Sequence, residues 1–157
     1  GLAEVDQYGN INVSKFGPRI AGAGGFINIT QNTKTVVFAG TLTASGLKVE
    51  VKDGKLTILQ EGKVKKFIPE VGHKTFSGEY ARKKGQKVLY ITERAVFEMR
   101  PEGLTLTEIA PGIDLETQVL PYIDFEVKVA PDLKLMDERI FKDEPMGIKD
   151  EILAKAR

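Results

Sequence analysis

The chain of 157 residues carries 23 Lys+Arg against 22 Asp+Glu, a net charge of +1, with 41% apolar and 29% charged residues. This is an ordinary globular composition of about one-domain size, and neither a strongly basic nucleic-acid binder nor an acidic disordered chain fits it. Cys is absent and His73 is the only His, which excludes disulfides, thiolate nucleophiles, Cys-ligated zinc and any multi-His metal site. No stretch approaches the roughly 18 apolar residues of a membrane span, and no secretory leader is visible. A cytoplasmic protein without membrane or nucleic-acid partners is expected. Gly1 stands where a Met would, directly before the alternating Leu2-Ala3-Glu4-Val5, so a cut or processed chain is expected too.

Leu2–Val5 and Ile11–Val13 flank Asp6-Gln7-Tyr8-Gly9-Asn10, a hairpin signature that Gly17-Pro18 ends. The Gly-rich stretch Ala21-Gly22-Ala23-Gly24-Gly25-Phe26 leads into a predicted short helical turn over Phe26–Thr30, closed by Gln31-Asn32. Thr35–Ala39 is a short apolar run stopped by Gly40, which suits a parallel strand covered on both faces. Leu47–Val51 and Leu56–Leu59 alternate around Asp53-Gly54, and Val64–Ile68 follows the turn at Gln60-Glu61-Gly62. These segments are predicted as antiparallel strands of one exposed sheet. Residues 70–86, holding Gly72, Gly78 and Gly85, read as loop.

Val88–Thr92, Ala95–Met99 and Leu104–Ile109 read as strands, the last two joined by Arg100-Pro101-Glu102-Gly103. Asp114 is the natural N-cap of a short helix to about Leu120. Phe125–Val129 is extended. Residues 131–148, with Pro131, Pro145 and Gly147, read as an irregular tail before a terminal helix over Ile148–Lys155. No repeat or linker divides the chain, so one domain is expected.

Two loops are candidates for chemistry. Around Gly22, Ala23, Gly24, Gly25 and Phe26 the main chain can be approached closely, and successive free N–H groups can hold an anion or a developing oxyanion. The loop is neither a Rossmann fingerprint, since residue 27 is Ile where that motif has its third Gly, nor a Walker loop, since no Gly-Lys-Ser/Thr follows. A plain tight turn is its bland alternative. The second loop, Gly40-Thr41-Leu42-Thr43-Ala44-Ser45-Gly46, lies beyond the carboxyl end of an apolar strand, where open parallel sheets bind ligands. A solvated connection is the bland reading there.

Elsewhere the bland readings prevail. His73 has no nucleophile-elbow Ser to serve and is expected at the surface. Glu93-Arg94 is expected as an ion pair at a strand bend. Lys63/Lys65/Lys66 and Arg82/Lys83/Lys84/Lys87 are expected as solvated lysines and arginines, because they lack the aromatic interleaving of single-strand binders. The sequons at Asn12 and Asn28 are short enough to arise by chance. Any nucleophile in this chain is therefore a carboxylate, a hydroxyl or a Lys.

Several separate strings narrow this further. Gly1 to Gly17 and Ala21-Gly-Ala-Gly-Gly-Phe-Ile-Asn-Ile-Thr-Gln31 resemble family I coenzyme A transferases of the fused acetate/propionate type. So do Thr75-Phe-Ser-Gly-Glu-Tyr-Ala81, Thr92-Glu-Arg-Ala-Val-Phe97, Gly103 to Asp114 and Pro131-Asp-Leu-Lys-Leu-Met-Asp137. The resemblance implies an α/β fold, an open and mostly parallel sheet with flanking helices, here with added antiparallel hairpins. It implies that residues 1–157 are a partial domain, the C-terminal part of the catalytic half.

The same resemblance implies transfer of coenzyme A, a substrate rather than a resident cofactor, between an acyl-CoA and a short-chain carboxylic acid. The family's nucleophile is a Glu in an upstream Glu-x-Gly-x-x-Gly motif that this chain lacks. No catalytic residue is therefore assigned here: Glu4 comes too early and lies in a hairpin strand, and Glu79 and Glu93 belong to other matched strings. Residues Gly22, Ala23, Gly24, Gly25, Phe26 and Asn28 are implied as the oxyanion and CoA loop, with Gly40 and Thr41 as a second loop near CoA.

The implied partners are the missing N-terminal portion or a partner subunit, with homo-oligomers expected. The competing readings are a non-catalytic CoA- or nucleotide-binding module and a structural subunit.

Overall fold

A computed structural model describes residues 1–156; Arg157, the last residue of the expected tail, lies outside the described residues. The alternation at the start of the chain gives β1 (Glu4–Asp6) and β2 (Ile11–Asn12), antiparallel with Val5 opposite Ile11. Asp6 holds the turn between them: its Oδ1 accepts the amides of Tyr8 and Asn10, each at 3.0 Å. Gly17-Pro18 also turns a second small hairpin, β3 (Lys15–Phe16) against β4 (Arg19–Ile20). Then come α1 (Phe26–Asn32) and β5 (Thr35–Ala39), as predicted.

The polar middle of the chain forms β6 (Thr43–Ala44), β7 (Lys48–Lys52), β8 (Lys55–Gln60), β9 (Val64–Lys65) and β10 (Phe67–Ile68). The single exposed sheet expected here is corrected to three pairings. β7 and β8 make an isolated ribbon, β6 pairs with β9, and β10 leaves to run parallel with β1. Burial explains the split. Phe67 is fully buried and its ring lies 4.7 Å from that of Phe97, whereas every residue of β7 is exposed. One flat surface cannot serve both.

Residues 70–86 hold a helix where loop was expected, α2 (Gly78–Lys83). The Ser77 side chain accepts the Tyr80 amide at 3.2 Å, and Glu79 pairs with Lys83 at 2.8 Å. Next follow β11 (Lys87–Ile91), β12 (Ala95–Arg100), β13 (Gly103–Ile109) and α3 (Leu115–Gln118), the last capped by Asp114 through the Thr117 amide at 2.9 Å.

The break expected at residue 131 is corrected by β14 (Lys128–Leu135), which runs straight through Pro131. β14 is an edge strand, and its register against β13 jumps from Val129 to Lys134 while β13 moves only from Leu106 to Glu108. A bulge at an edge is where a strand tolerates proline. α4 (Lys149–Lys155) closes the described chain.

The main sheet has the order β14-β13-β12-β11-β5. Its two flanks, β13–β14 and β11–β5, are parallel and its centre is antiparallel. The α/β class holds, with the parallel pairing confined to the flanks. One face carries the core: Phe38, Val88, Tyr90, Phe97 and Leu106 are buried with Val5, Ile11, Phe67 and Phe76. Phe38 meets Phe76 at 4.9 Å and Tyr90 at 5.5 Å.

The other face borders a groove of about 630 Å³, with Leu89, Ile91 and Val96 on one side and Val51, Leu56 and Phe141 on the other. Cover of β5 on both faces is corrected within the described residues. β5 is the sheet's edge; Phe38 is its one buried residue, and Val37 is 50% exposed. No helix among the described residues is long and apolar enough to cross a membrane.

Candidate functional site

Chain geometry brings the two candidate loops to one end of the sheet. α1 precedes β5 by a two-residue connection, so the helix runs antiparallel to the strand and its first residue, Phe26, stacks on Phe38 near the strand's end at 5.8 Å. The loop before α1 and the loop after β5 therefore share the carboxyl end of β5, which is where ligands meet parallel strands.

The Gly-rich loop is tethered at its base and open at its tip. The carbonyl of Ser14 accepts the amides of Ala21 at 2.8 Å and Gly22 at 3.2 Å. Ser14 is itself fixed, its Oγ 2.7 Å from Thr75 Oγ1. The tip folds on itself through the Phe26 amide, which donates to the Ala23 carbonyl at 3.0 Å. The amides of Ala23, Gly24 and Gly25 have no acceptor among the described residues.

Gly24 sits at φ +52°, and nothing lies within 4 Å of where a Cβ would be. Gly25 follows at φ −81°. A left-handed residue beside a right-handed one turns successive N–H groups toward one side. Asn28 lies exposed on α1, where its carbonyl accepts from the Asn32 side chain at 2.9 Å.

In the second loop the Gly40 amide donates to the Ile91 carbonyl at 3.0 Å, and the Thr41 hydroxyl donates to the Thr43 carbonyl at 2.6 Å. The Thr41 hydroxyl proton is thus held by its own loop. Gly40 is a close approach: a Cβ there would stand 2.9 Å from the Leu2 carbonyl oxygen and 3.0 Å from Lys66 Nζ.

Behind these loops lies a charge cluster whose partners the sequence left unconnected. Arg94 is fully buried. Its Nη1 and Nη2 donate to the two Glu61 oxygens at 2.6 and 2.9 Å, its Nε to Glu93 Oε1 at 2.6 Å, and Nη1 again to the Gln118 carbonyl at 2.9 Å. Glu93 uses its other oxygen to accept the Leu42 amide at 2.9 Å, and Thr43 donates its hydroxyl to Glu61.

Burial pushes the Glu61 carboxyl up, but the hydrogen bonds from Arg94, Thr43 and the Gly62 amide outweigh it and hold the group below its usual range. Burial likewise opposes the Arg94 charge, and Glu61 and Glu93 together more than restore it. Glu93-Arg94 is therefore the expected ion pair, extended by Glu61 into a clamp that ties the Leu42 loop to α3.

His73 is exposed. Asn12 and Ser14 of the first sequon are buried, at 1% and 6% exposure, which closes that sequon to glycosylation. Lys63 and Lys65 are exposed as expected, and Lys65 pairs with Asp124 at 2.6 Å; Lys66 is not solvated, keeping 8% exposure. Periodicity over three residues carries no sign of this, because Lys66 turns inward with the switch from β9 to β10. No cluster of His, Asp and Glu able to hold a metal occurs among the described residues. The large groove is lined by neither Gly22–Phe26 nor Gly40–Thr41.

The chain is 56% identical, over 93% of its length, to the acetate CoA-transferase YdiF of Escherichia coli K12, of which it spans 28%. It is 50% identical, over 99% of its length, to the caffeate CoA-transferase of Acetobacterium woodii, of which it spans 30%. The crystal structure of the acyl-CoA transferase YdiF from E. coli O157:H7, a thioester complex with CoA, matches 93% of this chain at TM-score 0.90 and 55% identity, over 28% of that chain. This chain thus spans less than a third of these relatives' length. No protein-family model matches the chain.

Proposed function

We propose, from a chain whose sequence and fold match coenzyme A transferases, that it forms the C-terminal part of the catalytic half of an acyl-CoA:carboxylate CoA-transferase for short-chain acids such as acetate or propionate. The observation that carries this reading is the 56% identity, over 93% of the chain, to an acetate CoA-transferase. The remainder of the active protein, an N-terminal portion or a partner subunit, supplies a catalytic Glu.

That Glu attacks the acyl-CoA carbonyl and expels the thiolate of CoA, leaving a mixed anhydride. The thiolate then attacks the glutamyl carbonyl, releases the acyl group as its carboxylate, and leaves a glutamyl-CoA thioester. The acceptor carboxylate reverses the two steps. A carboxylate is anionic at neutral pH, so neither Cys nor His is required to remove a proton, and the composition is compatible with that. Each attack builds charge on a carbonyl oxygen. The partner-free amides of Ala23, Gly24 and Gly25 are donors already set in place, which is what oxyanion stabilisation requires.

The thioester named for the E. coli relative supports the covalent route. A cytoplasmic enzyme that assembles as a homo-oligomer accompanies this reading. The test is to join the chain to its upstream portion, add acyl-CoA and then borohydride, and map the product by mass spectrometry. One Glu outside residues 1–157 should be reduced; an unmodified protein overturns the mechanism. The chain alone should show no turnover with acyl-CoA and acetate.

A further inference from the structure

A lysine that is nine-tenths buried is normally matched by a carboxylate. Lys66, at 8% exposure, has no ion-pair partner and no side-chain hydrogen bond among the described residues. Its backbone is fixed, since the Val5 amide donates to the Lys66 carbonyl at 2.8 Å. The side chain reaches the carboxyl end of β5, where Nζ takes the space that a side chain on Gly40 would occupy, 3.0 Å from an ideal Cβ.

Burial lowers its pKa from the usual lysine value, and the charge of Glu93 offsets part of that. Glu93 makes no ion pair with it; its two oxygens accept Arg94 Nε and the Leu42 amide. The Thr41 amide beside it has no acceptor among the described residues.

We infer that Lys66 is the cationic anchor of a binding site at the Gly40–Thr41 rim for an oxygen anion, a carboxylate or a phosphate. In the transferase reading, on which this identification of the source rests, that anion is the acid substrate's carboxylate or a phosphate of coenzyme A. The site itself does not require that reading.

The test titrates the chain at constant ionic strength with sodium acetate, sodium phosphate and coenzyme A in separate arms, read by amide NMR at Gly40, Thr41 and Leu42. Saturable shifts at these amides are expected. Affinity should fall at least tenfold in Lys66→Gln, recover largely in Lys66→Arg, and stay unchanged in Lys65→Gln. Shifts with acetate alone assign the site to the carboxylate; shifts with phosphate and coenzyme A assign it to the phosphate.

Absence of saturable shifts at these amides with all three probes overturns the inference, as does undiminished affinity in Lys66→Gln. Circular dichroism checks each variant's fold. If Lys66→Gln does not fold, shifts in the unsubstituted chain that fall only outside Gly40–Leu42 overturn it equally. No readout involves turnover, so failure of the borohydride experiment leaves these outcomes distinct.

Discussion

The Arg94 clamp and the Gly-rich rim stand at the same end of the sheet and treat polar groups in opposite ways. In the clamp both carboxylates are held, and the guanidinium makes four hydrogen bonds inside the protein, to Glu61 twice, Glu93 and the Gln118 carbonyl. At the rim, three consecutive amides and the ammonium of a largely buried lysine have no partner among the described residues. Saturated polar groups hold a fold in one arrangement, whereas unsaturated ones cost stability unless something else completes them. On the proposed reading, the difference separates residues that keep the site in shape from residues that would face its ligand.

Substitutions should separate the two regions by what they damage. Arg94→Ala should do the most harm to the fold, about 3–5 kcal/mol, because it strands Glu61 and Glu93 in a half-buried site; the loss is read from urea unfolding. Tyr90→Phe is expected to cost about 1–3 kcal/mol, seen in the same experiment. It deletes the buried hydroxyl that donates to the Gly9 carbonyl at 2.6 Å.

Gly24→Ala should cost only about 1–2 kcal/mol, the strain of a Cβ at positive φ. In the complete enzyme, however, disturbing the oxyanion amides should lower transfer by about 10²–10³, measured as kcat. Equal losses of stability for Arg94→Ala and Gly24→Ala would break the comparison.

The smallest effect concerns acid. Asp137 is held at about 2, below the ordinary 3.8, chiefly by hydrogen bonds from Arg139. A depressed folded pKa contributes stability above pH 3.8 that is lost as pH falls through about 2. Amide exchange in α4, which Glu151 ties to the same Arg139 at 2.6 Å, should quicken over that window.

How far the sequence foretold this depends on the length over which each signal is written. β11, β12 and β13 are runs of five to seven residues rich in aliphatic, aromatic and β-branched side chains, and all three were legible within a residue or two. So were α1 and the Asp114 cap. α2 was not: six residues with only Gly78 and Ala81 buried write no apolar stripe, and Ser77 with Gly85 were the available marks of its ends. Pro131 hid β14, because a proline argues against a strand unless the strand is known to be an edge.

At the site, the Gly-rich loop announced itself by composition. Lys66 did not, since the inward turn of one lysine among three depends on Phe67 being drawn into the core. Glu61 was equally silent, because its partner Arg94 is 33 residues away.

The outer side of β5, unpaired among the described residues, limits what can be added there. Two copies of this chain related by a two-fold axis would bring β5 against itself head to tail, which is antiparallel pairing. Extending the β5–β11 flank in its own parallel sense instead calls for a different stretch of polypeptide, reached by a crossover connection. Strand direction at that seam, readable from backbone contacts alone, would therefore tell self-association apart from completion by a neighbouring segment.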